Sequence, residues 1–190
     1  LAKLGKAAAQ KDSAFSLEDR VGLVSDAFTL AQAGYSKTSG GLALMHALRG
    51  DNSSLVNTAA ALNLGKLASV WWEQPQSVRD GINRFRADVF GPMARELTFE
   101  FGANDSSELR ELRETVITAA ASAGDTWTLD EIRRRFAPLQ EHGDYSLIHP
   151  DLLRTVLSQA VKHGGEAEYE TVMGVYRAPP TPAHKTSAMV

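Results

Sequence analysis

Apolar residues in this chain recur every three or four positions, and no alternating apolar–polar segment bounded by hairpin turns interrupts them. That rhythm restricts the fold to an all-α architecture. The clearest instance begins at Ser16. Leu17, Val21, Val24, Phe28 and Ala31 fall at helical spacing, and Leu23, Ala27 and Leu30 widen the stripe. A stripe this wide predicts burial against two neighbours rather than one. Ser16 with Asp19 three residues on makes a capping box, weakened because Asp reaches less far than Glu. Gly34 supplies a stop, since glycine accepts the left-handed conformation that ends many helices.

The same reading continues along the chain. A helix is expected over about Thr38 to Leu48, broken by Gly50-Asp51-Asn52, and another from about Ser53 to Glu73. Pro75 suits the opening of the next, which carries Val78, Ile82, Phe85, Val89 and Phe90. Gly91-Pro92 is expected to bend or divide it before Met93 and Leu97. After the Gly102–Asp105 loop, Ser106 or Ser107 caps a helix ended by Gly124. Thr128 with Glu131 reads as a full capping box for the helix bearing Ile132 and Phe136. Pro150 opens a helix stopped by Gly164-Gly165, one more spans about Glu168 to Tyr176, and Thr181-Pro182 starts a last. The count is about eight or nine helices in one domain, 1–190, with 1–15 as a boundary or linker segment. The helix ends at Gly34, Gly124 and Gly164 look alike, and the last two are 40 residues apart. That is near the period of two-helix solenoid repeats and favours a curved stack of helix pairs over a closed bundle.

Composition narrows the function classes. With 190 residues the chain is long enough for a sizeable core. A formal net charge of −3 does not suggest a nucleic-acid or membrane surface. Cysteine is absent, which removes disulfides, thiol nucleophiles and Cys-ligated zinc, and fits a cytoplasmic location. No apolar run approaches the ~18 residues of a spanning helix. The chain opens at Leu1 without a signal-peptide pattern and is expected to be a segment of a longer protein.

Candidate chemistry is sparse. The five histidines are His46, His142, His149, His163 and His184; none is followed by Glu and no two stand four apart, so the H-E-x-x-H zinc motif is excluded within this chain. Glu141-His142-Gly143-Asp144 and His149-Pro150-Asp151 gather possible metal ligands, but the spacing matches no standard site and a polar loop before a helix explains them better. Arg133-Arg134-Arg135 could hold phosphate, yet reads more simply as a solvated helix face. Adjacent Trp71 and Trp72 point about 100° apart, so one is expected in the core and the other at a seam or exposed contact. Arg110, Arg113 and Lys162 could line a concave face receiving a peptide carboxylate. No nucleophile elbow surrounds any serine. No catalytic, cofactor-binding or metal-ligating residue is therefore assigned.

Three stretches carry a resemblance. Leu17-Glu18-Asp19-Arg20-Val21-Gly22-Leu23-Val24-Ser25-Asp26-Ala27-Phe28, running on to Gly34-Tyr35, resembles the segment that opens the C-terminal helical domain of the aminopeptidase N and puromycin-sensitive aminopeptidase family. Leu129-Asp130-Glu131-Ile132-Arg133-Arg134-Arg135-Phe136 resembles its middle. His149-Pro150-Asp151-Leu152-Leu153-Arg154-Thr155-Val156 through His163-Gly164-Gly165, then Tyr169-Glu170 and Tyr176-Arg177, resembles a later helix pair. Order and spacing agree from about residue 16 to 190, closest to cytosolic, fungal-type members. The resemblance implies a HEAT- or armadillo-like right-handed superhelix of antiparallel helix pairs, packed over a thermolysin-like zinc domain. It implies an accessory role, enclosing the active site and helping select peptides. The family's zinc and catalytic residues, and its G-x-M-E-N motif, lie in a domain this sequence does not include. No cofactor is expected in this segment; zinc belongs to the catalytic domain, and the implied partners are that domain and the peptide substrate, not nucleic acid or membrane. The alternative is a free-standing helical-repeat scaffold for a protein or peptide, separated from the first reading by whether an H-E-x-x-H frame lies upstream in the gene.

Overall fold

The computed structural model of the chain describes residues 1–10 and 12–189. Its regular structure there is entirely helical: α1 (Ala2–Ala8), α2 (Leu17–Gln32), α3 (Thr38–Leu48), α4 (Ser54–Val70), α5 (Gln76–Leu97), α6 (Ser107–Ser122), α7 (Thr126–His142), a 3-10 turn (Pro150–Leu152), α8 (Leu153–His163), α9 (Glu166–Arg177) and α10 (Pro182–Ser187). The principal contacts run between elements one or two places apart: α1 on α3, α2 on α3 and α4, α4 and α5 on α6, α7 on α8, and α9 and α10 on α8. Short links let α2–α3, α5–α6 and α7–α8 pack as direct neighbours, while α1–α3, α2–α4 and α4–α6 bring alternate helices together. One continuous apolar core threads the stack. Val24, Leu44, Met45, Leu64, Phe90, Val116, Ile117, Ile132, Val156 and Leu157 are almost wholly withdrawn from water.

Several starts and stops follow the local chemistry. Ser16 accepts from the Asp19 amide while Asp19 accepts from the Ser16 amide, closing the expected capping box. Gly34 has φ +81°, and the Tyr35 amide reaches back to the Leu30 carbonyl at 2.8 Å. Gly124 repeats this with φ +83° and Asp125 donating to Ala120 at 3.0 Å. Both are Schellman ends. Ser53, Ser106 and Thr181 cap α4, α6 and α10 as the spacing suggests.

Elsewhere the fold departs from expectation. Ten α-helices stand among the described residues rather than eight or nine. One of them, α1, lies in the stretch read as a boundary, and Gly5 is the reason it docks. A Cβ there would stand 3.0 Å from the Ala47 methyl on α3. Gly91-Pro92 neither ends nor divides α5. Pro92 faces solvent while Phe90, Met93 and Ala94 continue one buried stripe, so burial outweighs the single missing backbone bond. Thr128 does not cap α7. Gly124's turn delivers Asp125 to the cap position, where its Oδ1 accepts from the Thr128 amide at 3.0 Å and hydroxyl at 2.8 Å. Gly164 does not match Gly34 and Gly124: its φ of −98° is ordinary extended backbone, and the third left-handed glycine is Gly143. The 40-residue glycine period therefore has no common geometry behind it. Helix α4 stops at Val70 rather than Glu73, leaving Trp71 half-buried and Trp72 exposed, so neither indole is in the core.

Candidate functional site

The densest polar network surrounds the link between α5 and α6. Thr98 closes α5 at φ 53°, ψ 178°, a conformation unfavourable for a β-branched residue. This sharp corner turns Phe99 inward, where it is buried and tilted against Trp127 at 6.1 Å. The Arg135 guanidinium lies 4.9 Å from the Phe99 ring centre and donates to Glu100 at 2.6 Å and to the Leu147 carbonyl at 3.3 Å. Two residues on, Phe101 is sandwiched. The His149 ring stacks nearly parallel to it at 3.7 Å, and the Arg113 guanidinium sits 4.5 Å from its centre. Arg113 also donates to the Leu97 carbonyl at 3.0 Å and to Asp105 at 2.7 Å. Asp105 takes a further bond from the Gly102 amide, and this bond, then Arg113, holds its carboxyl below the usual carboxylate range. Cation–π stacking and charge-assisted bonds meet here on two guanidinium groups that are themselves buried.

A second junction sits beside it. Arg95 on α5 donates to the Asp125 carboxylate at 2.8 Å and stands 5.7 Å from the Trp127 ring centre. Gly91 makes room: a Cβ there would meet Asp125 Oδ2 at 2.6 Å. The α7 cap and the α5 surface thus meet at a glycine's width.

The candidate residues from the sequence are dispersed among such ties. Arg113 is buried in the network above, Arg110 pairs with Asp151 at 2.9 Å, and Lys162 donates to the Ser122 carbonyl at 3.4 Å. They join α6 to three different places and do not converge on one receptor. His149 is a stacking partner whose Nδ1 accepts from the Asp151 amide, capping the 3-10 turn. His142 is exposed beside Glu141, and Asp144 accepts from Ser146, which lowers its carboxyl pKa. Among the described residues no three His, Asp or Glu side chains lie close enough together to hold a metal ion, so these residues do not fit a zinc site. Of the arginine run, Arg133 and Arg134 are solvated and pair with Asp130 and Glu131 on their own helix. Arg135 is not: it is buried, because its position places it on the same face as Ile132 and Phe136. The hydroxyl–imidazole pair of Thr181 and His184, at 2.8 Å, is an exposed helix cap.

The outer surface is uneven. Leu55, Leu62, Val70 and Trp72, on or just after α4, are between 52% and 72% exposed, and Leu30 and Tyr35 add to the apolar surface of this half. A cavity of about 500 Å³ opens between α2, α4, α5 and α6, with a mixed lining that includes Leu55, Met93 and Leu112 beside Asn52, Glu96 and Glu108. No helix among the described residues is long and apolar enough to cross a membrane. The sequence pattern gave no warning of this outward apolar face, since Leu55 and Leu62 also fit a core stripe.

Comparison with known proteins places these features. The model of the ERAP1-like C-terminal domain matches residues 1–190. Aminopeptidase 2 of Candida albicans is 29% identical over 187 residues, covering 98% of this chain and 20% of the relative. Alanine/arginine aminopeptidase of Saccharomyces cerevisiae is 30% identical over 189 residues, covering 99% and 21%. Aminopeptidase M1 of Arabidopsis thaliana is 26% identical over 172 residues, covering 88% and 20%. The chain spans about a fifth of the length of the curated relatives it matches.

Proposed function

Because the chain belongs to the ERAP1-like C-terminal domain family, we propose that it is the helical accessory domain of a zinc aminopeptidase, enclosing the active site and helping to select peptide substrates in the cytoplasm. It supplies no catalytic residue. The zinc that polarises the scissile carbonyl and activates water belongs to a catalytic domain outside this sequence. The observation that carries the reading is a match along the whole chain to one fifth of proteins named as aminopeptidases. The arginine–aromatic network supports it: such a lattice holds a wall in fixed shape without offering a nucleophile or base. The outward apolar residues of α4 supply a surface of the kind a neighbouring domain covers. Enclosure acts through positioning, worth rate only when substrate is held in a reactive geometry.

The test compares the parent enzyme with a form lacking residues 1–190 and with the isolated chain. The isolated chain is expected to hold no stoichiometric zinc by elemental analysis and to leave aminoacyl p-nitroanilides intact. The shortened enzyme is expected to lose discrimination among peptides of different length more than it loses cleavage of the small anilide. Aminopeptidase activity that stays with the isolated chain through successive purification steps defeats the proposal.

A further inference from the structure

Helices α7, α8 and α9 pack on one another and leave between them a cavity of about 330 Å³. Leu129, Ile132, Phe136 and Ala160 wall it, and each is buried. A cavity of roughly 150 Å³ with walls of this kind takes a benzene ring. This one has room for a ring and a polar group beside it. A buried polar side chain stands in the wall. Gln159 on α8 lines the cavity and is only 8% exposed. Its Oε1 is shut off from solvent and accepts no hydrogen bond from the protein. The charged groups at the rim are engaged elsewhere. Arg133 pairs with Asp130, and Glu168 accepts from the Gly165 amide at 2.7 Å and the Gln140 amide at 3.4 Å. Burial, then the charges of Lys162 and Arg133, lowers the His163 pKa, so the imidazole at the rim adds no positive charge at neutral pH. What the cavity lacks is therefore uncharged: a donor for a buried amide oxygen, whose desolvation is otherwise uncompensated.

We propose that the cavity between α7, α8 and α9 binds a small uncharged primary carboxamide with an apolar ring or branched body, its amide paired with that of Gln159. A primary carboxamide carries a donor and an acceptor side by side, as Gln159 does, so the two join through a pair of hydrogen bonds. The terminal torsion of glutamine is soft, which lets either end of the Gln159 amide turn to the cavity. A trans peptide bond cannot pair in this way, because its N–H and C=O point in opposite directions. A carboxylate has no donor to give Oε1. The apolar walls take the body of the ligand, and burying it supplies the rest of the affinity. This inference goes beyond the accessory-domain reading and does not depend on it.

Benzamide is the probe, with benzoate, N-methylbenzamide and toluene as parallel arms, each titrated into the chain by calorimetry and followed by thermal melting. Benzamide is expected to give a one-site isotherm and a saturable rise in melting temperature. The other three are expected to bind roughly tenfold more weakly or not at all, as follows when a buried hydrogen bond is left unmade. Gln159→Leu is expected to melt no lower than the parent chain, because an unpaired amide has been replaced by an apolar group, and to bind benzamide no better than toluene. Ala137→Phe, at a half-buried place in the cavity lining, is expected to keep the fold and abolish binding of all four. The comparison of the four probes on the unaltered chain decides the matter even where a variant fails to fold. No isotherm with benzamide, equal binding of any of the other three, a benzamide preference that survives Gln159→Leu, or unchanged binding in Ala137→Phe would overturn the proposal.

Discussion

The first four helices and the five that follow are held together differently. Helices α1 to α4 meet through small and apolar side chains: Gly5 on Ala47 and Leu44, Gly41 on Phe28, Ala27 and Ala60 in the core. Their clearest long-range ion pair is Arg20 with Asp51. Helices α5 to α9 add a lattice of buried charge and stacked rings, centred on Phe99, Phe101, Arg113 and Arg135. The exposed large apolar residues lean the opposite way: Leu30, Tyr35, Leu55, Leu62, Val70 and Trp72 belong to the first part, against Leu147, Tyr169 and Met189 after α5. The second part binds most of its buried charge internally, though Arg86 on α5 keeps no carboxylate partner. A part that presents leucine, valine and tryptophan outward is arranged to be covered. Our inference is that the second part sets the shape and the first part makes the contact.

Four measurements can break that comparison. Phe99→Ala removes the ring that Arg135 and Trp127 share, and should destabilise by about 4 kcal/mol in urea unfolding. A loss below that of an ordinary surface change would mean the lattice is decorative. Arg113→Met should lose less, since it leaves the Leu97 carbonyl without its donor and Asp105 with only the Gly102 amide. The same variant sharpens the pH dependence. Asp105 titrates lower when folded, so its contribution is present above the unfolded carboxylate pKa and disappears as pH falls through the folded value. The urea midpoint of the parent chain should therefore fall on acidification. Arg113→Met should fall less steeply, keeping only the part due to the Gly102 amide. Gly91→Ala comes next at about 2 kcal/mol, because the new methyl must displace the Asp125 carboxylate from Arg95. Smallest of all, Leu62→Ser should change stability by no more than about 0.5 kcal/mol. If the chain is the accessory domain proposed above, the same change in the full-length protein should loosen its seat, read as increased protease sensitivity at the junction. If Leu62→Ser unfolds the chain instead, the outward face is core and the division fails.

Much of this was legible in the sequence, for local reasons. Caps and stops depend on a few adjacent residues, so Ser16, Ser53, Ser106, Gly34 and Gly124 act as their types suggest. The all-α class follows from the period alone. What escaped was whatever depends on a partner distant in the chain. Arg135 is set apart from Arg133 and Arg134 by sharing the face of Ile132 and Phe136, but its partners Glu100 and Leu147 come from elsewhere in the chain. Thr128 and Glu131 have the right spacing for a cap, but Asp125 stands first in line after Gly124's turn. Pro92 is a helix breaker by itself and harmless where its ring points to water. No site was legible because the candidate residues are spent on joints, and Gln159 gave no signal at all: a glutamine without a partner looks like any other until burial is known.

The Thr98 corner has a consequence for how the chain meets proteases. Residues 98 to 106 make an irregular crossing with mostly exposed backbone, the usual place for a first cut. A protease, however, needs several residues drawn out into an extended strand. Here Phe99 and Phe101 are pinned under guanidinium groups, and the Gly102 amide is tied to Asp105. Extraction would require both rings to leave together. Cleavage should instead begin in the turn at Trp71 to Pro75, where Trp72 and its neighbours are exposed and no such clamp operates.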